Sequence, residues 1–576
     1  MCGRDSLNGA QKCPLNLCCS YFGYCGTTPL HCSSQDAAGQ VTPCQKDYGR
    51  CGVLYPPSCP QGTSTSKGRK VAYYQAAGVR YRKCNRITPS QINTEGLTHL
   101  NFAFAQLDPT TFAVVPADPL DLMLYRPFTA LKSATLQTWI ALGGFTFNDP
   151  GPTHTTFSDM VTSPANRAAF IKSIIEFMGK WGFQGADLDW EFPGQSDRGG
   201  RPSDAKNLVL LVKEMRAAFG RKYGLSTVLP PDFTYLSGND PVGMSPYVDF
   251  FNYMTYDLHG PWEASYIGAK VRPQTSIIDV DSALVSLWFD GVPPSKVNLG
   301  IAYYGRGFTL TDKNCREIGC PYSGGSKSGP CTGSTGVLSL REIKQLVNDK
   351  VAIPKLLPDL MIKEISYDDQ WIGYDDAETI TLKEKWGDRH CLGGTAIWSI
   401  DFDSGAGSGD KPLVVSTKGS CANGQICLGS SFGDCCSSHN FCGSTSAYCS
   451  TSAGCQLEYG TCTMDTAAGV HISINGRCGN GFTCAGSAFG KCCSPAGYCG
   501  SSSLYCSPIN GCQSSYGLCI EAEAVIVSKD GHCGDGITCQ NSAYGNCCSQ
   551  YGWCGTTAAH CAGDNGCQPQ YGACSS

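Results

Sequence analysis

The cysteines of this chain recur in a fixed spacing, and that spacing constrains the possible folds more than any other feature of the sequence. Of 38 cysteines, eight lie between Cys2 and Cys51, eight between Cys421 and Cys462, eight between Cys478 and Cys519, and eight between Cys533 and Cys574. All four blocks contain CC-x5-C-x6-C, and the last three share C-x5-C-x7-CC-x5-C-x6-C-x5-C-x6-C throughout. Blocks this short bury too little apolar surface to hold themselves, so even numbers of cysteines in them imply disulfide frameworks and an oxidising compartment. Zinc is the competing reading, but its paired ligands sit two to four residues apart, whereas here adjacent cysteines precede gaps of five and six. No metal or cofactor is expected.

The repeat reaches upstream of the C-terminal cysteines. Val415-Ser416, Ile472-Ser473 and Val527-Ser528 precede the three blocks at similar distances, with Gly419, Gly476 and Gly531 two residues before the first cysteine. These segments are expected to pack on their modules. Flexible joints are expected only at PQGTSTSKG after Cys59 and SGAGSGDKP after Asp403. The resulting division is a module over 1–59, a joint over 60–69, a large domain over 70–405, a joint over 406–413, and modules over 414–462, 470–519 and 525–575. Cys59, Cys84, Cys315, Cys320, Cys331 and Cys391 remain outside the blocks, and Cys59 and Cys84 are candidates to pair across the first joint.

The formal charge of −5 without a basic run lacks the electrostatic footprint of a nucleic-acid or anionic-membrane binder, and suits a neutral polymer. No apolar stretch is long enough to span a bilayer. Met1 stands directly before the first framework cysteine, with no export signal ahead of it. A disulfide-rich chain of this kind is expected to be secreted, so a processed form or an incomplete reading of the gene is expected.

Within the large domain, FQGADLDWEFP sets Asp187, Asp189 and Glu191 at alternate positions. In a strand all three carboxylates share one face, while Leu188 and Trp190 take the other. Mutual repulsion and lost hydration push at least one of them to hold a proton near neutrality. A calcium loop would place polar residues and glycine between its acids, and a solvated edge would not need the surrounding Phe183, Trp190 and Phe192. KVAYYQ, THLNFAFA, TWIALGG, GADLDWE, LSTVLP, VDFFNYMTY, VNLGIAYY and GTAIWSI read as eight strands, several separated by helical patterns such as Ser163 to Trp181. Strands alternating with helices predict an α/β fold, a (β/α)8 TIM barrel, whose functional residues lie at C-terminal strand ends.

The segments CCSYFGYCG, CCSSHNFCG, CCSPAGYCG and CCSQYGWCG resemble hevein-like chitin-binding modules over the length of each block. The resemblance implies that a serine and three aromatic positions hold N-acetylglucosamine. These are Ser20, Phe22, Tyr24 and His31 in the first module, and Ser437, His439, Phe441 and Tyr448 in the second. In the third they are Ser494, Ala496, Tyr498 and Tyr505, and in the fourth Ser549, Tyr551, Trp553 and His560. Sugar C–H faces stack on such rings while the hydroxyl bonds the N-acetyl group. Ala496 lacks a ring, and the third module is expected to bind more weakly, as is the second to a lesser degree through His439. The resemblance also implies disulfides joining the first cysteine to the fourth, second to fifth, third to sixth and seventh to eighth in every module.

The large domain resembles glycoside hydrolase family 18 chitinases, whose fourth strand carries D-G-x-D-x-D-x-E. MTYD at 254–257, YYGRGF at 303–308 and GGTAIWSID at 393–401 extend the likeness, and a small α+β insertion is expected over about 306–371, between strands 7 and 8. The module order and Cys315, Cys320 and Cys331 resemble fungal chitinases related to a yeast killer-toxin subunit, though no LysM-like segment is seen. The resemblance implies a retaining chitinase assisted by its own substrate. Glu191 would be general acid and then base, and Asp189 would orient the acetamido group. Asp187 would share a proton with Asp189, Tyr256 would bond the acetamido carbonyl, and Asp257 would help to hold the distorted sugar. Trp398 would form the floor, with Met254, Tyr303, Arg306, Gly143 and Gly144 as further substrate contacts. Three positions depart from the family: Gln184 replaces its first aspartate, Ala141 a serine, and Phe145 a tryptophan. Gln184 is expected to shorten the inner carboxylate chain and to shift the pH optimum.

The expected partners are chitin and its oligosaccharides, the expected state a monomer. Two other functions fit part of the pattern. One is a chitin lectin on a disabled barrel, against which the intact acids speak; the other is a delivery subunit of a killer-toxin-like complex, which needs a partner chain.

Overall fold

The computed structural model describes residues 1–33, 43–403, 414–463, 471–473, 477–479, 482–485, 487, 490–500, 503–508, 511–519, 526–534, 537–540, 542–562, 567–568 and 571–574. The expected joint at 406–413 and Gly476 lie outside the described residues. The chain divides into two units, one holding 1–117, 121–415 and 422–426, the other 118–120, 416–421 and 427–576.

In the first unit eight parallel strands close into a barrel. They run over Arg69–Gln75, His99–Leu107, Gln137–Gly143, Gly185–Asp189, Gly224–Leu229, Phe250–Tyr253, Val297–Ala302 and Gly394–Trp398, each paired with the next and the last paired with the first. All eight coincide with the runs read from sequence. The interior face is filled by Val71, Tyr73, Ala103, Trp139, Ala141, Phe250 and Ala396, every second residue of its strand, as β alternation requires. The alternate, outward-facing residues such as Ile140 and Leu188 are buried as well. Helix Pro164–Trp181 leads into the acid-bearing strand. Ser163 caps it by accepting from the Asn166 amide, and Gly182, with φ of 88°, ends it in the left-handed conformation that glycine tolerates.

The insertion after the seventh strand begins slightly earlier than expected. It is a six-stranded antiparallel sheet with helix Leu340–Asn348 against it, starting at strand Tyr304–Leu310 and ending at strand Gln370–Tyr374.

Nineteen disulfides leave no free cysteine. In every module the first cysteine joins the fourth, the second the fifth, the third the sixth and the seventh the eighth, as in Cys2–Cys19, Cys13–Cys25, Cys18–Cys32 and Cys44–Cys51. The same order gives Cys421–Cys436, Cys427–Cys442, Cys435–Cys449 and Cys455–Cys462. It gives Cys478–Cys493, Cys484–Cys499, Cys492–Cys506 and Cys512–Cys519, and Cys533–Cys548, Cys539–Cys554, Cys547–Cys561 and Cys567–Cys574.

Two expectations fail here. Cys59 and Cys84 do not pair with each other: Cys59 joins Cys391 after helix Ala377–Arg389, Cys84 joins Cys331 in the insertion, and Cys315 joins Cys320. Nor is 60–69 a loose joint. Asp388 accepts from the amides of Thr65 and Ser66 at 2.8 and 2.9 Å, and buried Thr65 donates to the Leu392 carbonyl at 2.8 Å. With Cys59 anchored beside them, small polar residues that look flexible in sequence are fixed to the barrel.

The Val/Ile segments upstream of the C-terminal modules do pack on them. Val414–Val415, His471–Ile472 and Ile526–Val527 pair in parallel with Gln425–Ile426, Phe482–Thr483 and Ile537–Thr538. Among the described residues no helix is long and apolar enough to cross a membrane.

Candidate active site and sugar-binding faces

The fourth strand brings Asp187 and Asp189 into the barrel at its C-terminal end, and Glu191 follows just beyond it. All three are buried. Gly143 and Gly144, at φ of 101° and 81°, turn the third strand beneath them, and the Gly144 amide donates to the Asp189 carbonyl at 2.8 Å. A Cβ on Gly143 would lie 2.4 Å from that carbonyl oxygen, and one on Gly144 would lie 2.5 Å from the Phe104 ring. In this structure the two glycines thus serve the backbone that carries Asp189.

Asp187 is fully buried and accepts from the Tyr73 hydroxyl at 2.7 Å, from Ser226 Oγ, and from Asn252 Nδ2 at 3.2 Å. Burial pushes its pKa up, and these donors offset part of that rise. Ala141 and Ser226 flank Asp187 on the two neighbouring strands, so a hydroxyl reaches the acid although Ala141 supplies none.

The donor chain continues through the barrel. Asn298 Nδ2 donates to Asn252 Oδ1 at 2.9 Å, and Arg69 Nε donates to Asn298 Oδ1 at 2.9 Å. A guanidinium can only donate, so Arg69 fixes the amide orientation of Asn298, which in turn fixes that of Asn252, and every donor points towards Asp187. Asn298→Asp keeps the shape but turns an acceptor towards Asn252, whose amide must rotate and offer its oxygen to Asp187. Asp187 then takes a proton at higher pH, and the acid limb of kcat against pH is expected to rise by about one unit. An unchanged acid limb in the folded variant would show that the chain exerts no hold on Asp187.

Asp189 and Glu191 hydrogen-bond each other. Asp189 is pushed up by burial and then by the charges of Glu191 and Asp187, and Glu191 is lifted to about 7, chiefly by burial. The pair therefore holds a proton near neutrality. Asp189 Oδ1 is buried with no hydrogen-bond partner. Arg198 braces the other side of Glu191: its Nε donates to the Glu191 carbonyl at 3.1 Å, its Nη1 to Asp149 at 2.8 Å, and its Nη2 to the Phe145 carbonyl. Its guanidinium lies 4.0 Å from the centroid of the Phe145 ring, so the ring that replaces the family's tryptophan stacks on a cation.

Tyr256 and Asp257 follow the sixth strand. The Tyr256 hydroxyl lies in the field of Asp189, Glu191, Asp257 and Asp187, and burial with those charges raises its pKa. Asp257 takes a bidentate pair from Arg306 at 2.7 and 2.6 Å and the Tyr304 hydroxyl at 2.6 Å, while Arg306 lies over the Trp262 ring at 4.7 Å. Trp398, ending the eighth strand, stacks on Phe104 at 5.6 Å and meets Tyr73 at 5.4 Å. Half-buried Met254 donates its amide to the Leu229 carbonyl at 3.0 Å.

Two expected residues stand elsewhere. The Tyr303 ring packs into the insertion with Leu338, Ile343, Ile372 and Tyr374, and the neighbouring Tyr304 reaches Asp257 instead. Gln184 precedes the strand at the opposite end of the barrel, where its Oε1 accepts from the Thr138 amide at 3.2 Å and it lines a cavity with Arg69, His99 and Trp139. It does not extend the carboxylate chain, so the reason for expecting it to shift the pH optimum is removed.

Each small module presents the same face. Ser20, Ser437, Ser494 and Ser549 are buried, and each Oγ accepts from the amide four residues on, of Tyr24, Phe441, Tyr498 and Trp553, at 3.1, 3.3, 3.2 and 3.3 Å. Each O–H can therefore donate outward. Phe22, Tyr24, Phe441, Tyr498, Tyr551 and Trp553 are exposed, as are His439 and Ala496. His532 lies against Trp553 with the two rings tilted by 38° and their centroids 3.7 Å apart. His31, Tyr448, Tyr505 and His560 lie against Gly26, Gly443, Gly500 and Gly555, where a Cβ would come within 2.5, 2.3, 2.4 and 2.4 Å of the ring.

A closed barrel with a proton-sharing carboxylate pair at its C-terminal mouth defines a glycosidase-type site. The chain belongs to glycosyl hydrolases family 18, whose profile matches residues 69–403, and a profile described as chitin recognition protein matches residues 1–51. Probable chitinase LysM18 of Penicillium expansum is 28% identical over 421 residues, covering 69% of this chain but 29% of its own length. This chain thus spans less than a third of that relative. Chitotriosidase-1 of Mus musculus is 31% identical over 369 residues, covering 60% of this chain and 76% of its own. A solved structure, a mutant of Ostrinia furnacalis Group II chitinase catalytic domain 2 in complex with (NAG)5, is 28% identical with a TM-score of 0.54, over 58% of this chain and 91% of that one.

Proposed function

We propose that the protein is a secreted chitinase that cleaves β-1,4 links between N-acetylglucosamine units, held to its polymer by four chitin-binding modules. The observation that carries the reading is the buried, unpartnered Oδ1 of Asp189 beside the protonated carboxyl it shares with Glu191. A buried carboxylate oxygen without a donor is costly, and a substrate acetamido N–H supplies one. In the proposed reaction Glu191 gives its proton to the glycosidic oxygen as the acetamido carbonyl oxygen attacks C1, so the C1–O bond breaks and an oxazolinium forms. Asp189 bonds the N–H and stabilises that cation, with Asp187 as an anion behind it, and Tyr256 bonds the carbonyl side. Trp398 lies under the sugar, and Asp257, fixed by Arg306 and Tyr304, holds the neighbouring wall. Glu191 then takes a proton from water, whose oxygen attacks C1 and reopens the ring.

Because the nucleophile belongs to the substrate, the acetyl group is required. The protein is expected to release oligosaccharides from chitin and to leave a fully deacetylated polymer uncut, as read by chromatography of the soluble products. Equal cleavage of both polymers would overturn the mechanism.

A further inference from the structure

The three C-terminal modules carry a loop that the first lacks: seven residues separate their second and third cysteines, against four in the first. The loops read LGSSFGD, AGSAFGK and QNSAYGN, and in all three the third position is serine, the fifth an aromatic ring and the sixth glycine. Two of these have a local structural reason. Ser430, Ser487 and Ser542 donate to the carbonyls of Gly433, Gly490 and Gly545 at 2.8, 2.9 and 3.1 Å. Those glycines, at φ of 115°, 109° and 115°, press on Gly443, Gly500 and Gly555, where a Cβ would lie 2.4, 2.2 and 2.4 Å from a carbonyl carbon.

For the ring the local contacts differ: the Tyr544 hydroxyl donates to the Lys529 carbonyl at 3.2 Å, a bond that the Phe432 ring cannot make. Phe432 and Tyr544 are 47% and 50% exposed, and Leu15, at the matching position of the first module, is 7% exposed. Phe489 lies outside the described residues. Each ring lies beside a glycine next to the sugar-binding face. A Cβ on Gly419 would be 3.1 Å from the Phe432 ring, and one on Gly531 would be 3.4 Å from Tyr544 and 3.8 Å from Trp553. The carbonyls of these glycines accept from Cys442 and Cys554 at 2.8 Å, and the next residues, Ser420 and His532, bridge Phe441 and Trp553. The extra ring therefore adjoins the expected platform, one strand position away, in both modules. Cover for a glycine could be given by leucine or valine, yet a ring stands in all three loops.

We propose that Phe432 and Tyr544 each form an additional stacking position for an N-acetylglucosamine unit, extending the sugar-binding face of the second and fourth modules. The proposal rests on the reading of these modules as chitin binders. A ring beside a ring lets the C–H face of a further sugar unit stack while the serine holds the N-acetyl group of its neighbour.

The test uses the full chain carrying Glu191→Gln, so that polymer is not consumed, and measures depletion onto insoluble chitin across protein concentrations. Phe432→Leu with Tyr544→Leu keeps apolar cover over the glycines and is expected to weaken binding about tenfold, whereas Trp at both positions is expected to retain it. Phe441→Ala with Trp553→Ala tests the platform itself. If the platform pair weakens binding and the leucine pair binds like its parent, the additional position is refuted and the module reading stands. If neither pair changes binding, both fall. Should the leucine pair prove poorly folded by near-UV circular dichroism, the tryptophan pair decides: lost binding there, with folding intact, refutes stacking.

Discussion

Glu191→Gln is expected to remove turnover while leaving adhesion to chitin intact. Glutamine keeps the shape and the hydrogen bond to Asp189 but holds no transferable proton, and positioned acid catalysis contributes roughly 10²- to 10⁴-fold. Glu191 also acts twice in the proposed reaction, first as acid and then as base, so both steps are lost and kcat should fall at the upper end of that range. In the wild type the same group sets the alkaline side of the pH profile. It must be protonated to act, burial lifts it to about 7, and activity should therefore fall as pH rises through that region. Progress curves on a soluble oligosaccharide from pH 4 to 9 with wild type and variant, beside a chitin pull-down, check all three expectations. Retained kcat in the variant would assign the acid to another residue.

Removal of residues 412–576 is expected to separate soluble from insoluble substrate. Each module offers one small face, and faces of this kind bind weakly alone. Several on one chain raise retention on a polymer by about 10² or more where they engage together. The shortened protein should keep its kcat on short oligosaccharides, because the acids, their donors and Trp398 all belong to the barrel. On insoluble chitin its turnover at low protein concentration should drop by about tenfold or more. Equal rates on both substrates before and after deletion would show that anchoring is not what the modules do.

Much of this molecule is legible in its sequence because its strongest constraints are periodic. Barrel strands buried on both faces read as apolar runs, and all eight runs are strands of the barrel. The acids at 187, 189 and 191 share one side because side chains alternate. What escaped lies between strands. Tyr73, Ser226 and Asn252 come from three different strands to meet Asp187, and no local spacing announces such a meeting. A signal was present all the same: Asn252 in FFNY and Asn298 in VNL are polar residues inside runs destined for a barrel interior, where an amide needs partners. The motif points to Tyr303, but adjacent residues face opposite sides where the chain leaves the barrel for the insertion, so Tyr303 packs into the insertion and Tyr304 reaches Asp257. The motif groups Gln184 with the acids, although it stands where the strand enters the barrel rather than where it leaves. The pairing of Cys59 with Cys391 and of Cys84 with Cys331 spans 332 and 247 residues, which only the closed barrel brings together. The segment 60–69 looked loose for the same reason, since its partners Asp388 and Leu392 lie at the far end of the domain.

In the proposed reaction the substrate's acetamido oxygen, steered by Asp189, attacks C1 as the glycosidic oxygen, protonated by Glu191, leaves. Two displacements on one carbon retain its configuration, whereas direct attack by water inverts it. Proton NMR of chito-oligosaccharide hydrolysis, read in the first minutes before the products mutarotate, measures this without substitution of any residue. The newly formed reducing ends are expected to appear as the β anomer and to equilibrate only later. New ends appearing first as the α anomer would contradict the proposed reaction.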